Sequence, residues 1–123
     1  SRLGMITSLG LCVLAARAHG LDVLDGVHLD LDDAEGLELA CAQGVELGFD
    51  GKTLIHPKQL AAANQAFSPS AEQIARAEKV RDAWQQAEAD GKGVVLVDGR
   101  LVEALHVEDA LRVLAIAEAL SDR

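Results

Sequence analysis

The chain has 123 residues and a formal charge of −9; half of it is hydrophobic, with one Trp, two Phe and no Tyr. That is enough for a real core, and an Ala-, Leu- and Val-rich composition suits helices packed on a small sheet of branched residues. No cluster of Lys and Arg offers a nucleic-acid surface or a match for an anionic membrane, although a locally basic site for an anionic substrate is compatible with an acidic chain.

The apolar run from Leu9 to Ala16 is too short to span a bilayer and meets Arg17 and His19. Residues 5–18 instead read as a helix, with Met5, Leu9, Cys12, Val13 and Ala16 on one face and Gly20 as its stop. Leu21 to Leu29 reads as a buried strand that empties into a loop. Asp32 or Asp33 caps the next helix, which carries Leu37, Ala40, Cys41 and Val45 on one face and ends at Gly48. Cys12 and Cys41, one in each helix, are expected as small buried hydrophobes; with no compact spacing they suggest neither disulfide nor zinc, which fits a reducing cytoplasm.

Gly51 to Pro57 is the second strand, followed by a short Ala-rich helix over 58–66. Ser70 with Gln73 has the form of a capping box opening a long polar helix to about Ala89, with Ile74, Ala77, Val80 and Trp84 as its apolar stripe. Asp98-Gly99 between two apolar runs predicts a hairpin with a type I′ turn, and His106 to Leu120 a final amphipathic helix.

The first half is βα-repeat material and implies a parallel sheet. Two strands cannot by themselves make a parallel sheet covered on both faces, so the chain is expected to be part of a larger α/β protein. The second half, helix–hairpin–helix, reads as an appendage that packs on something else.

Three places could carry chemistry. Asp25-Gly26 falls at a strand's C-terminal end, where a carboxylate could hold metal or substrate; turn formation and helix capping are the plainer roles for Asp25, Asp30, Asp32 and Asp33. The acid spacing does not fit an EF-hand loop. His56 also ends a strand, either facing a ligand or hydrogen-bonded in the core, whereas Lys52 begins that strand, the wrong end for barrel chemistry. Gly51-Lys52-Thr53 imitates a phosphate loop, but Glu46 stands where its first Gly is required and a strand follows where a helix should. Glu103, just past the hairpin, is either a solvated surface acid or one that reaches another site. No nucleophile elbow or dinucleotide fingerprint is present.

The run Leu47-Gly48-Phe49-Asp50-Gly51-Lys52-Thr53-Leu54-Ile55-His56-Pro57-Lys58-Gln59 resembles the signature of the citrate lyase β-subunit-like acyl-CoA lyase family, part of the HpcH/HpaI aldolase superfamily. Ala15 to Leu21 with Asp25-Gly26-Val27, Asn64 to Ser70, and Asp98 to Glu103 extend the resemblance over nearly the whole chain. The resemblance implies an α/β fold: residues 1–67 as the C-terminal βα units of a TIM (β/α)8 barrel, and 68–123 as a helical tail with a β-hairpin packing on a neighbouring subunit of a homotrimer.

It implies a carbon–carbon lyase that cleaves a malyl-, citramalyl- or citryl-type 3-hydroxyacyl thioester of coenzyme A through a Mg²⁺-stabilised enolate. The Mg²⁺ ligands are expected upstream of Ser1, so no residue here is assigned to metal and the chain alone is expected to be inactive. Asp25, Gly26, Ile55, His56 and Pro57 would line the coenzyme A side of the barrel mouth. Glu103 would be the catalytic acid or base, at a position where several relatives have Asp, and Leu105 replaces a Pro usual nearby. A thioesterase on the same scaffold, or a non-catalytic fragment needing its N-terminal half, are the alternatives.

Overall fold

The computed structural model describes residues 2–121, which divide into two compact units meeting at Phe67 and Ser68. In the first unit a 3₁₀ turn over Leu3–Met5 leads into helix α1 (Ile6–Ala18), then strand β1 (Leu24–Asp25), helix α2 (Ala34–Leu47), strand β2 (Gly51–Lys52), a 3₁₀ turn over Pro57–Gln59 and helix α3 (Leu60–Phe67). The second unit is helix α4 (Ala71–Ala89), strands β3 (Val95–Val97) and β4 (Arg100–Val102), and helix α5 (Ala104–Ser121).

β1 and β2 run parallel across α2, with Leu24 opposite Gly51 and Asp25 opposite Lys52. Both ladders are far shorter than the apolar runs around them. The Asp50 amide donating to the Val23 carbonyl, and the Thr53 amide to the Asp25 carbonyl, extend the pairing at either end. α2 starts where the Asp33 carboxylate accepts the Gly36 amide at 2.9 Å. It stops at Gly48, whose φ of 93° is a conformation that costs Gly nothing. Leu37, Cys41 and Ala63 form the core of this unit, with Leu54 and Phe67 packed against them.

α1 departs from its expected stripe. Only Val13 is buried; Met5, Leu11, Leu14 and Cys12 are exposed. The helix is apolar around much of its circumference, and only the side bearing Val13 meets the rest of the unit.

In the second unit the Ser70 hydroxyl accepts the Gln73 amide and the Gln73 side chain accepts the Ser70 amide, closing the capping box. β3 and β4 pair antiparallel around Asp98 (φ 49°) and Gly99 (φ 75°), the two left-handed residues that a type I′ turn requires. Ala77 and Val80 of α4, Val102 of β4, and Val107 and Ala110 of α5 make its core, with Trp84 against them. The cross-strand pair Leu96 and Leu101 lies exposed.

Among the described residues no helix is long and apolar enough to cross a membrane.

Candidate functional site

Asp25 is the most constrained charge in the first unit, 1% exposed. The parallel register sets it directly opposite Lys52, and partners in register present their side chains on the same face. The Lys52 ammonium donates to Asp25 Oδ2 at 2.9 Å and to the Gly26 carbonyl at 2.7 Å. Arg2 Nη1 lies 2.7 Å from Oδ1 and 2.8 Å from Oδ2, and the Gly26 amide donates to Oδ1 at 2.8 Å. The rest of the Arg2 guanidinium is anchored on α2, through Nε to Gln43 Oε1 and Nη2 to the Ala40 carbonyl.

A carboxylate offers about four acceptor directions, and all are used here. Burial pushes the Asp25 carboxyl upward, but hydrogen bonds from Arg2 and Lys52, with their charges, outweigh it and hold the group below its ordinary range. Asp25 is therefore ionised and internally neutralised. Its structural role is neither turn former nor helix cap: it ties α2, β2 and the start of the chain to the end of β1.

A second tie reaches the Ile55–Pro57 segment. Gln59 is 2% exposed; its Nε2 donates to the His28 carbonyl at 2.8 Å and its Oε1 accepts the Ile55 amide at 3.0 Å. The loop after Asp25-Gly26 and the segment Ile55-His56-Pro57 are thus held side by side. Gly26, Ile55 and Pro57 are exposed and His56 is half-buried. His56 Nδ1 accepts the Lys58 amide at 3.1 Å, so the ring caps the 3₁₀ turn and the proton of the neutral ring sits on Nε2.

Arg17 and Asp50 form a third tie, a fork with both bonds at 2.9 Å. Asp50 also accepts the Val23 amide at 2.8 Å, so this pair locks the end of α1 to the entry of both strands.

Glu103 belongs to the second unit, between β4 and α5, and is exposed. Its amide donates to His106 Nδ1 at 3.0 Å and its carbonyl accepts the His106 amide at 2.9 Å. The backbone of Glu103 is therefore held from both sides while its carboxylate faces solvent.

The ties through Arg2, Lys52 and Gln59 are absent from the sequence reading. Lys52, expected at the start of its strand, is instead the last residue of β2, because pairing stops after Gly51–Lys52; it stands level with Asp25 at the end of β1, and its ammonium meets the buried acid directly. The one available signal is the alignment of two strand-ending residues, Asp25 and Lys52, visible only once the register is known. Among the described residues no three His, Cys, Asp or Glu side chains gather to hold a metal ion, and the acceptor positions of Asp25 are filled. These residues do not make a Mg²⁺ centre.

A strand-end acid neutralised beside a parallel pair, followed by a Gly-Lys strand and a His-Pro turn, defines a βαβ segment of an α/β fold. Residues 4–57 match the HpcH/HpaI aldolase/citrate lyase family. Over 120 residues, 98% of this chain, it is 53% identical to a (3S)-malyl-CoA thioesterase of Cereibacter sphaeroides, covering 42% of that protein. It is 38% identical over 109 residues to an L-malyl-CoA/beta-methylmalyl-CoA lyase of the same species, 89% of this chain and 34% of that one. The CitE protein of Mycobacterium tuberculosis, solved with magnesium, acetoacetate and coenzyme A, matches with a TM-score of 0.70 at 33% identity, over 89% of this chain and 40% of that one. The chain thus spans between about a third and two-fifths of the length of these relatives.

Proposed function

We propose that the protein carrying this chain is an acyl-coenzyme A enzyme acting on a malyl-type 3-hydroxyacyl thioester, with Glu103 as its general acid or base. The observation that carries the reading is the placement of Glu103: a free, solvent-facing carboxylate on a backbone clamped by His106, in a chain 53% identical to a malyl-CoA thioesterase. A proton-transfer group needs this combination of reach and fixed origin.

In the lyase reading the 3-hydroxyl gives up its proton to a base as the carbon–carbon bond breaks, leaving an aldehyde and the enolate of the acetyl thioester, and Glu103 delivers a proton to the enolate's α-carbon. In the hydrolase reading Glu103 takes a proton from the water that attacks the thioester. The higher identity to the thioesterase, 53% against 38% for the lyase, favours keeping hydrolysis as the second reading.

The parallel β1–α2–β2 unit and the likeness to CitE support its assignment as the C-terminal part of a TIM (β/α)8 barrel. On that assignment Gly26, Ile55, His56 and Pro57 line the coenzyme A side of the barrel mouth, and Asp25 holds Gly26 in place. The exposed Leu96–Leu101 pair supports docking of the 68–123 tail on a neighbouring subunit, in a homotrimer. Magnesium, present in the CitE complex, would be held by residues outside this segment.

The test is product analysis on malyl-CoA with the whole protein. Glyoxylate with acetyl-CoA marks the lyase; malate with free coenzyme A marks the hydrolase. Glu103→Gln is expected to lower turnover by about 10²–10⁴-fold. Unchanged turnover in that variant removes Glu103 from the chemistry, and no turnover of any malyl-type thioester removes the reading itself.

A further inference from the structure

We propose that the cleft between α4, α5 and β4 is a binding site for a small oxyanion, a carboxylate or phosphate, gripped by Arg76 and Arg100. The cleft encloses about 410 Å³ within the second unit and has an apolar floor that includes Val80, Val102 and Ala110. Arg76 of α4 and Arg100 of β4 both line it.

What distinguishes these two side chains is that neither forms an ion pair among the described residues. Arg2, Arg17, Lys52, Lys58, Lys79, Arg81 and Lys92 all have a carboxylate partner, and Arg112 is engaged as well. Among the described residues Arg76 and Arg100 are the Lys and Arg side chains left without a hydrogen bond or ion pair. The chain has 20 acidic residues against 11 Lys and Arg, so carboxylates are not scarce. Two unpaired guanidinium groups on one cleft of an acidic protein make a local field of opposite sign to the whole. Their planar forks match carboxylate and phosphate oxygens in pairs.

His106 adds a further donor on the same cleft. Its Nδ1 is committed to the Glu103 amide, so in the neutral ring the proton sits on Nε2. Asp109 also lines the cleft; its carboxylate suits a ligand hydroxyl. The site thus fits an oxyanion on a compact body with a polar edge. It does not depend on the reaction assigned to Glu103.

The test is an NMR titration of the arginine side-chain Nε–Hε signals in the full chain, with inorganic phosphate and with succinate as probes and with chloride matching the ionic strength. Saturable shifts of the Arg76 and Arg100 signals are expected with at least one probe, with no comparable shift in chloride. Saturation by phosphate alone points to a phosphate-bearing ligand, and by succinate alone to a carboxylic acid. In Arg76→Gln with Arg100→Gln the affinity should fall at least tenfold. If that double variant fails to fold, Arg76→Lys with Arg100→Lys serves, retaining charge but losing the fork, with intermediate affinity expected. Shifts that never saturate, or affinity unchanged in the variant that folds, overturn the proposal.

Discussion

Lys52 and Asp25 meet at 2.9 Å with both side chains 1% exposed, an ion pair drawn from directly opposed positions of two parallel strands. Neither charge could stay buried alone. The pair is tolerable because Arg2, the Gly26 amide and the Gly26 carbonyl complete its hydrogen bonds. The expense of burying these charges is recovered as a fixed geometry at the end of β1.

Removing the acid should therefore cost more than its contacts suggest. Asp25→Asn leaves the Lys52 ammonium buried without a counter-charge, and about 3–5 kcal/mol of stability should be lost. Urea unfolding of the whole protein measures this. A change under about 1 kcal/mol, the range of exposed pairs, would mean that water reaches the site.

The same pair makes stability depend on acid. The folded-state pKa of Asp25 lies below its ordinary 3.8, so the folded chain binds its proton later than the unfolded chain does. Its contribution is complete above 3.8 and declines as pH falls through the folded value. The stability gap between the native chain and Asp25→Asn should narrow below that pH. A constant gap from pH 6 to pH 2.5 would contradict the linkage.

Gln59 is predicted to act through two backbone groups. Gln59→Leu keeps most of the side-chain volume but strands the Ile55 amide and the His28 carbonyl, each a buried-bond loss of about 1–3 kcal/mol. Amide exchange at Ile55 should accelerate more than at Leu37 or Cys41. Equal acceleration everywhere would indicate global loosening in place of a local release.

The two thiols should separate cleanly. Cys12 is exposed, whereas Cys41 is fully buried and burial pushes its thiol pKa up. A maleimide should label one cysteine per native chain at neutral pH and two in urea. Rapid labelling of both without denaturant would show that α2 opens readily.

Much of the local architecture was readable in the sequence. The Ser70–Gln73 box, the Asp33 cap, the stop at Gly48 and the Asp98-Gly99 turn all form within a few residues, where backbone geometry and one side-chain bond decide the outcome. The Gly48–Gln59 run likewise carried the family as a contiguous string. The circumstances of individual side chains were not readable. Cys12 shares the apolar pattern of its helix, yet only the tertiary structure decides which face is covered.

The ties at the candidate site span 23 residues from Arg2 to Asp25, 27 from Asp25 to Lys52 and 33 from Arg17 to Asp50. No local propensity encodes such pairings. They exist because strand register and helix packing bring distant charges into one buried volume, where each must find a partner or be excluded.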